Sequence, residues 1–287
     1  DANSTETGAL LRASDLRAYR SEWREPLRVE YRNVELIAQP PVSVGLVVLE
    51  ALKILEATPI SSYADCSADF VHMHVEAMKL ATADLRGHVA DPAFGAPDAT
   101  AQLLDERYAA ARAQTLRLDR AQSFGPGALG GKPPSDTSYA AVIDAGGNAV
   151  SLLQSVFAVF GSGVVVPGTG VLMNNRMTGF SLDPASLNVV APGKRTLHTL
   201  NPHMIRKDGR YLLSVGTPGG PSQTMRPRAS MRPAARARSV VRSLRALTRP
   251  SSVQSAAAAW ISAERRGASR GAATATLGSC RERSSVD

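Results

Sequence analysis

The chain has 287 residues, 44% of them hydrophobic, which is ample for a buried core and excludes disorder of the chain as a whole. Its formal net charge is +8, but residues 226–287 hold 13 Arg, no Lys and three acids, a net +10, which leaves −2 for residues 1–225. A mildly acidic body excludes neither enzyme nor binding protein, but it gives no reason to expect a nucleic-acid or anionic-membrane partner.

In chain order, residues 8–24 read as a short helix, with Ser14-Asp15 as its N-terminal cap before Leu16. Residues 27–38 alternate apolar and polar with a turn near Asn33, a small hairpin that Pro40-Pro41 ends. Helical spacing of Val44, Val47, Val48, Ala51, Ile54 and Leu55 predicts a helix over 44–57. A second helix runs from about Ala64 to Arg86, with Phe70, Met73, Ala77 and Leu80 or Ala81 on one face. Asp91-Pro92 is a turn, and a third helix spans about Asp98 to Arg117. Residues 123–136 are then rich in Gly and Pro, a surface-type linker. Beyond it the pattern is β: strands at Ser138–Asp144 and Ala149–Phe157 around a 145–148 turn, a short apolar strand at Gly163–Pro167, and His203–Lys207 with Arg210–Val215 around Asp208-Gly209. Helices first and strands later give an α+β class.

Residues 226–287 stand apart. Ala, Arg and Ser fill 38 of these 62 positions, Trp260 is the sole aromatic, and no helical or strand period persists. The segment reads as a disordered or non-native tail. A nucleic-acid-binding arm is the alternative, but it lacks interleaved aromatic stacking platforms. Cys66 lies in a helical pattern and Cys280 in the tail, so neither a disulfide nor a metal spacing is expected. No stretch of about 18 apolar residues predicts a membrane span. No signal segment is visible, and residue 1 is Asp rather than Met, which leaves periplasmic, secreted and cytoplasmic locations open.

Three motifs are set aside. Gly125-Pro-Gly127-Ala-Leu-Gly130 matches G-x-G-x-x-G, but a helix precedes it and Pro133-Pro134 follows. Gly130-Gly131-Lys132 resembles the end of a phosphate loop, with Pro126 and Pro133 at positions that loop cannot accept. His72 and His74 would point about 200° apart on a helix and cannot share a metal. His72 and Glu76, four apart, are expected to pair.

The chemistry concentrates at Asp136-Thr137-Ser138-Tyr139, where the flexible linker runs into a Thr that opens a strand. A Thr hydroxyl is a weak nucleophile without an adjacent base. If Thr137 became an N-terminus, its own α-amine could serve. The same hydroxyl could make that cut by attacking the Asp136 carbonyl to form an ester that water hydrolyses. Many strands begin with Thr, so the residues alone leave an ordinary strand start open.

Several further runs occur in order: Asp136-Thr-Ser-Tyr-Ala-Ala-Val-Ile-Asp-Ala-Gly-Gly-Asn-Ala-Val-Ser151, Phe160-Gly-Ser-Gly163, Gly170-Val-Leu-Met-Asn-Asn175, Pro192-Gly-Lys-Arg195 and Gly216-Thr-Pro-Gly-Gly220. Together they resemble the start of the small subunit of γ-glutamyltransferases, which are N-terminal nucleophile hydrolases. Ser21-Glu-Trp23, Pro40-Pro41 and His72 through Asp84 resemble the end of that family's large subunit. The resemblance covers about residues 8–225. It implies part of an αββα sandwich, no metal or organic cofactor, and a zymogen that cuts itself between Asp136 and Thr137 into a heterodimer of its own products. Thr137 would be the nucleophile and Ser155 would hydrogen-bond it. The backbone N–H groups of Gly219 and Gly220 would form an oxyanion hole, since glycines let donors approach an oxyanion closely; a plain turn is the alternative. His198 and Thr199 fall where the family contacts the substrate carboxylate. The implied substrate is a small-molecule amide, a γ-glutamyl compound such as glutathione.

Departures from the family sharpen this reading. The acids that hold a γ-glutamyl α-ammonium follow the Asn-Asn pair, and here Arg176 and Gly179 stand in their places. Phe157 replaces an Asn. Arg is a bidentate partner for a carboxylate and a poor neighbour for an ammonium. Arg176 therefore points to an acyl donor without an α-ammonium, as in the glutaryl and cephalosporin acylases of the same family; the alternative is that it faces solvent or pairs structurally. The family's large subunit begins well upstream of residue 1, and the resemblance stops at Met225. An inactive truncated or frameshifted fragment is thus a further reading. The expected divisions are 1–136, large-subunit-like; 137–225, small-subunit-like and β-rich; and 226–287, the tail.

Overall fold

A computed structural model describes residues 11–65, 67–124 and 135–216. Helix α1 (Ala13–Ala18) buries none of its residues. With nothing to pack against, it spans six residues instead of the expected seventeen. Strands β1 (Leu27–Tyr31) and β2 (Val34–Ala38) form the expected hairpin. Its two turn residues, Arg32 and Asn33, both have positive φ, 47° and 65°. That backbone matches the twist of two paired strands.

Helix α2 (Gly45–Glu56) is buried along all but its last residue. Helix α3 (Ala68–His88) starts at 68 rather than 64 because the Ser67 hydroxyl accepts the Phe70 N–H at 3.2 Å and caps it. The expected helix over 98–117 is two helices, α4 (Thr100–Leu103) and α5 (Glu106–Ala113). Asp105 separates them, its carboxylate accepting the N–H groups of Arg107 and Tyr108 and opening the second helix. The His72–Glu76 pair does not form. His72 Nε2 meets the Arg117 carbonyl at 2.8 Å, while Glu76 takes Lys79 and the Gln122 N–H.

Strands β3 (Ser135–Ile143) and β4 (Ala149–Ala158) make a two-stranded ribbon. Strands β5 (His203–Lys207) and β6 (Arg210–Val215) follow. The strand expected at Gly163–Pro167 is a single bridge, Val165 to Leu172. The chain reverses at once through Gly168 and Gly170, both with positive φ, and the two arms share the hydrogen bonds Val166 N–H to the Val171 carbonyl and Met173 N–H to the Val164 carbonyl.

The main sheet is antiparallel, in the order β1-β2-β5-β6. One cross-strand row, Val29–Leu36–Ile205–Leu213, packs against Val48, Leu49 and Leu52 of α2. A second apolar cluster joins α2, α3 and α5 through Leu46, Ile54, Leu80, Leu85 and Ala109. The opposite face of the sheet carries Ile37, Met204 and Ser214. There the Ser214 hydroxyl meets the Tyr139 hydroxyl of the β3–β4 ribbon at 2.8 Å. The α+β class is therefore what the described residues form. Among them, no helix is long and apolar enough to cross a membrane.

Glu50 of α2 is fully buried, and neither carboxyl oxygen finds a donor among the described residues. Burial, then the neighbouring Asp84 carboxylate, pushes its pKa up to about 10. Asp84 itself is held by Arg112 in a bidentate pair at 2.9 and 2.6 Å. Glu50 is thus folded as the neutral acid. The unfolded chain releases this proton near pH 4.5, and the folded chain keeps it to about 10. The associated stability is complete below pH 4.5 and declines as pH rises, by at most about 1.4 kcal/mol per pH unit. Glu50→Gln should remove this decline. Thermal midpoints of the two proteins should diverge between pH 5 and 9, with the variant the more stable at pH 9; parallel curves would contradict a neutral Glu50.

Candidate active site

The β3–β4 ribbon carries the residues singled out for nucleophilic chemistry. Its strands are in register from Ser138 opposite Gln154 to Ile143 opposite Ala149, and again at Asp136 opposite Phe157. Between these pairs Thr137 alone opposes two residues, Ser155 and Val156, a β-bulge that bends the ribbon. Thr137 is buried. The Ser155 hydroxyl accepts the Phe157 N–H at 2.9 Å. Phe157 has φ +78°, a left-handed conformation unusual for a bulky residue, at the bulged end of β4. Gly219 and Gly220 lie outside the described residues.

The segment after Asn174-Asn175 is stitched to the same end of β4. Asn175 N–H donates to the Val156 carbonyl at 3.2 Å, and the Asn175 side-chain oxygen accepts the Ala158 N–H at 3.0 Å. Arg176 follows, opening a single 3₁₀ turn over Arg176–Gly179. Its guanidinium lies 5.4 Å from the Phe157 ring centroid, and its Nη1 is 3.5 Å from Thr199 Oγ1. Nη2 is buried without a hydrogen-bond partner, and among the described residues Arg176 makes no ion pair. Burial lowers its pKa, but a guanidinium stays charged.

His198 lies within the field of this charge. Burial, followed by the charges of Arg176 and Arg195, pushes its pKa down to about 4, and its Nδ1 is buried without a partner. The imidazole is therefore neutral at pH 7. An aromatic ring and a hydroxyl thus flank one cation that has an unused donor. Such a set suits a carboxylate, which would satisfy Nη2 and offset the cost of holding an unpaired charge away from water. At Gly179 the backbone leaves no room for a side chain. A Cβ there would come within 2.8 Å of Thr196 Oγ1 and 3.0 Å of the Leu197 carbonyl, so an acid at this position would displace that segment. Asn188 holds the same contact shut, donating to the Gly179 carbonyl at 2.7 Å.

His198 and Thr199 are fixed from the helical side of the molecule. Asp91, 1% exposed, accepts Arg195 Nη2 at 3.2 Å, Nε at 3.3 Å and the Arg195 N–H at 2.8 Å. Burial alone would raise the Asp91 pKa, but these contacts hold it below its usual value. Three residues on, His198 exchanges backbone hydrogen bonds with Val42 and Val44, and Ser43 donates to the Leu200 carbonyl at 2.7 Å. In sequence, Asp91 was legible only as a turn residue, because its partner is 104 positions away. Asn188 carried no signal.

The family model for gamma-glutamyltranspeptidase matches residues 2–235. The chain belongs to this family. Over 213 residues it is 40% identical to the acylase ACY 1 proenzyme of Pseudomonas sp. (strain SE83), covering 74% of this chain and 38% of that protein. Over 218 residues it is 40% identical to the glutathione hydrolase-like YwrD proenzyme of Bacillus subtilis (strain 168), covering 75% and 40%. The crystal structure of a cephalosporin acylase from Bacillus halodurans superposes with a TM-score of 0.69 at 39% identity, over 77% of this chain and 39% of that one. The chain thus spans about two fifths of the length of these family members.

The Asp91–Arg195 pair predicts a measurable cost. Arg195→Ala leaves a buried carboxylate with only backbone donors and should destabilise the fold by about 2 kcal/mol, less than a fully buried pair because Arg195 is 40% exposed. Urea denaturation would read this as a lower midpoint at unchanged slope; an unchanged midpoint would contradict the anchoring role.

Proposed function

We propose that this chain is the catalytic part of an N-terminal nucleophile amidohydrolase whose acyl donor carries a carboxylate and no α-ammonium, a glutaryl-type amide. The observation that carries this reading is Arg176: a half-buried guanidinium with no acid beside it, at the end of the strand that opposes Thr137. In the proposed reaction the chain first cuts itself between Asp136 and Thr137. The freed α-amine then takes the proton from the Thr137 hydroxyl as its oxygen attacks the amide carbonyl. Ser155 orients that oxygen, and the N–H groups of Gly219 and Gly220 bind the oxyanion. The leaving amine departs with a proton, and water hydrolyses the acyl-threonine ester. Arg176 and Thr199, beside a neutral His198, hold the distal carboxylate.

The division at residue 136 would leave two chains, 1–136 and one beginning at Thr137, as a heterodimer. Pairing of β2 with β5 and the Asp91–Arg195 contact support such a pair. The helical layer, the main sheet and the ribbon packed on its far face are compatible with part of an αββα sandwich. Relatives named glutathione hydrolase favour a second reading, γ-glutamyl hydrolysis or transfer.

Hydrolysis of glutaryl and γ-glutamyl anilides separates the two. The glutaryl compound should turn over faster, and Arg176→Ala should lower its kcat/KM by about 10- to 100-fold, the range for losing a hydrogen bond to a charged group. Faster turnover of the γ-glutamyl compound would overturn the glutaryl assignment in favour of the second reading.

A further inference from the structure

Asn175 bonds the residues on both sides of Phe157. Its N–H donates to the Val156 carbonyl at 3.2 Å, and its side-chain oxygen accepts the Ala158 N–H at 3.0 Å. Arg176 comes next in the chain, and its guanidinium carbon lies 5.4 Å from the Phe157 ring centroid. Phe157 is also tied to its own strand, because its N–H donates to Ser155 Oγ at 2.9 Å. Between these bonds the Phe157 backbone sits at φ +78°, in the left-handed region that a bulky residue rarely enters. Gly or Asn would take the same backbone at less cost. Strain of this kind persists only where the surroundings enforce it, and it clusters at ligand sites. The ring of Phe157 is therefore what the position keeps at the expense of an easier backbone.

We infer that Phe157 is a positioning residue for carboxylate recognition: it holds the Arg176 guanidinium in place while leaving its donors free for the carboxylate of the acyl donor. This rests on the proposed carboxylate site at Arg176 and adds the residue that keeps that site open. An aromatic face attracts a cation through the ring quadrupole, without taking one of its N–H groups in a conventional hydrogen bond. An acid or an amide at position 157 would offer an oxygen acceptor and take such an N–H for itself. With Phe157 in place, Nη2 of Arg176 has no partner among the described residues, and Nη1 has only Thr199 Oγ1 at 3.5 Å. The cation is supported, and its hydrogen-bonding capacity is unspent. Asn175 sets the two residues against each other, since it bonds the chain on either side of the ring and directly precedes the guanidinium it supports.

Calorimetric titration of the full 287-residue chain with glutarate tests this, because it reads binding without turnover. Arg176→Ala should weaken binding by about 10-fold or more. Phe157→Leu, which keeps an apolar side chain but no ring, should weaken it by about 3- to 30-fold, and Phe157→Tyr, which keeps the ring, should stay within about twofold. Phe157→Asn should lose at least as much as Phe157→Leu, while its thermal midpoint holds or rises, because Asn accepts φ +78° more readily. With the glutaryl anilide, the Leu and Asn variants should raise KM and leave kcat within about twofold. Unchanged glutarate binding in Phe157→Leu and Phe157→Asn, alongside its loss in Arg176→Ala, would overturn the role of Phe157 and leave the carboxylate site standing. A thermal midpoint that falls with binding in Phe157→Asn, a fall in kcat at constant KM, or loss of binding in Phe157→Tyr would also overturn that role. Equal binding by Arg176→Ala and the unaltered chain, or binding by neither, would overturn the carboxylate site and the role of Phe157 with it.

Discussion

The antiparallel pairing of β2 with β5 is the constraint on which the rest of the molecule depends. Four residue pairs, Glu35–Arg206 through Ala38–His203, join the chain before Thr137 to the chain after it. Without them, β1–β2 and β5–β6 would be two isolated hairpins, each marginal in water. With them, the row Val29–Leu36–Ile205–Leu213 presents one continuous apolar face that buries α2. The helices and the strands after Thr137 therefore stabilise each other through one sheet. A break in the backbone at residue 136 would leave that sheet intact.

Secondary contacts transmit this rigidity to the candidate site. Asp91 fixes Arg195, the start of α2 fixes His198, and Asn188 fixes Gly179. On the other side the Asn174-Asn175 pair is bonded to the end of β4, where Phe157 supports the Arg176 guanidinium. Arg176 is thus placed by neighbours that themselves have partners, while one of its own nitrogens has none. Among the described residues no acid pairs with this half-buried guanidinium, so its partial removal from water is not offset by an ion pair.

Much of the fold was legible in the sequence because it is encoded locally. Alternation, Arg32-Asn33 and Asp208-Gly209 defined the two hairpins, and helical spacing defined α2 and α3 within a few residues. Local signals misled where tertiary context decides: α1 lacks a surface to pack on, Asp105 starts a new helix inside a periodic run, and the chain after Val165 reverses through Gly168 and Gly170. At the site, the residues raised Thr137 as a candidate and the family resemblance added Ser155 and Arg176, but neither gave their surroundings. Nothing local could show that two residues of β4 oppose Thr137, that Nη2 of Arg176 is buried and unpartnered, or that Asp91 reaches Arg195. Those are properties of segments far apart in the chain.

If Thr137 is a nucleophile released by the protein's own cleavage, both products stay held in one sheet. Mass spectrometry of the purified protein under denaturing conditions, paired with gel filtration under native ones, tests it most directly. The expected result is two polypeptides meeting at Asp136 and Thr137 that co-elute as one species, and a single uncut chain for Thr137→Ala. A single 30.3 kDa chain from the unaltered protein, or a Thr137→Ala protein that is still cut at this bond, would contradict it.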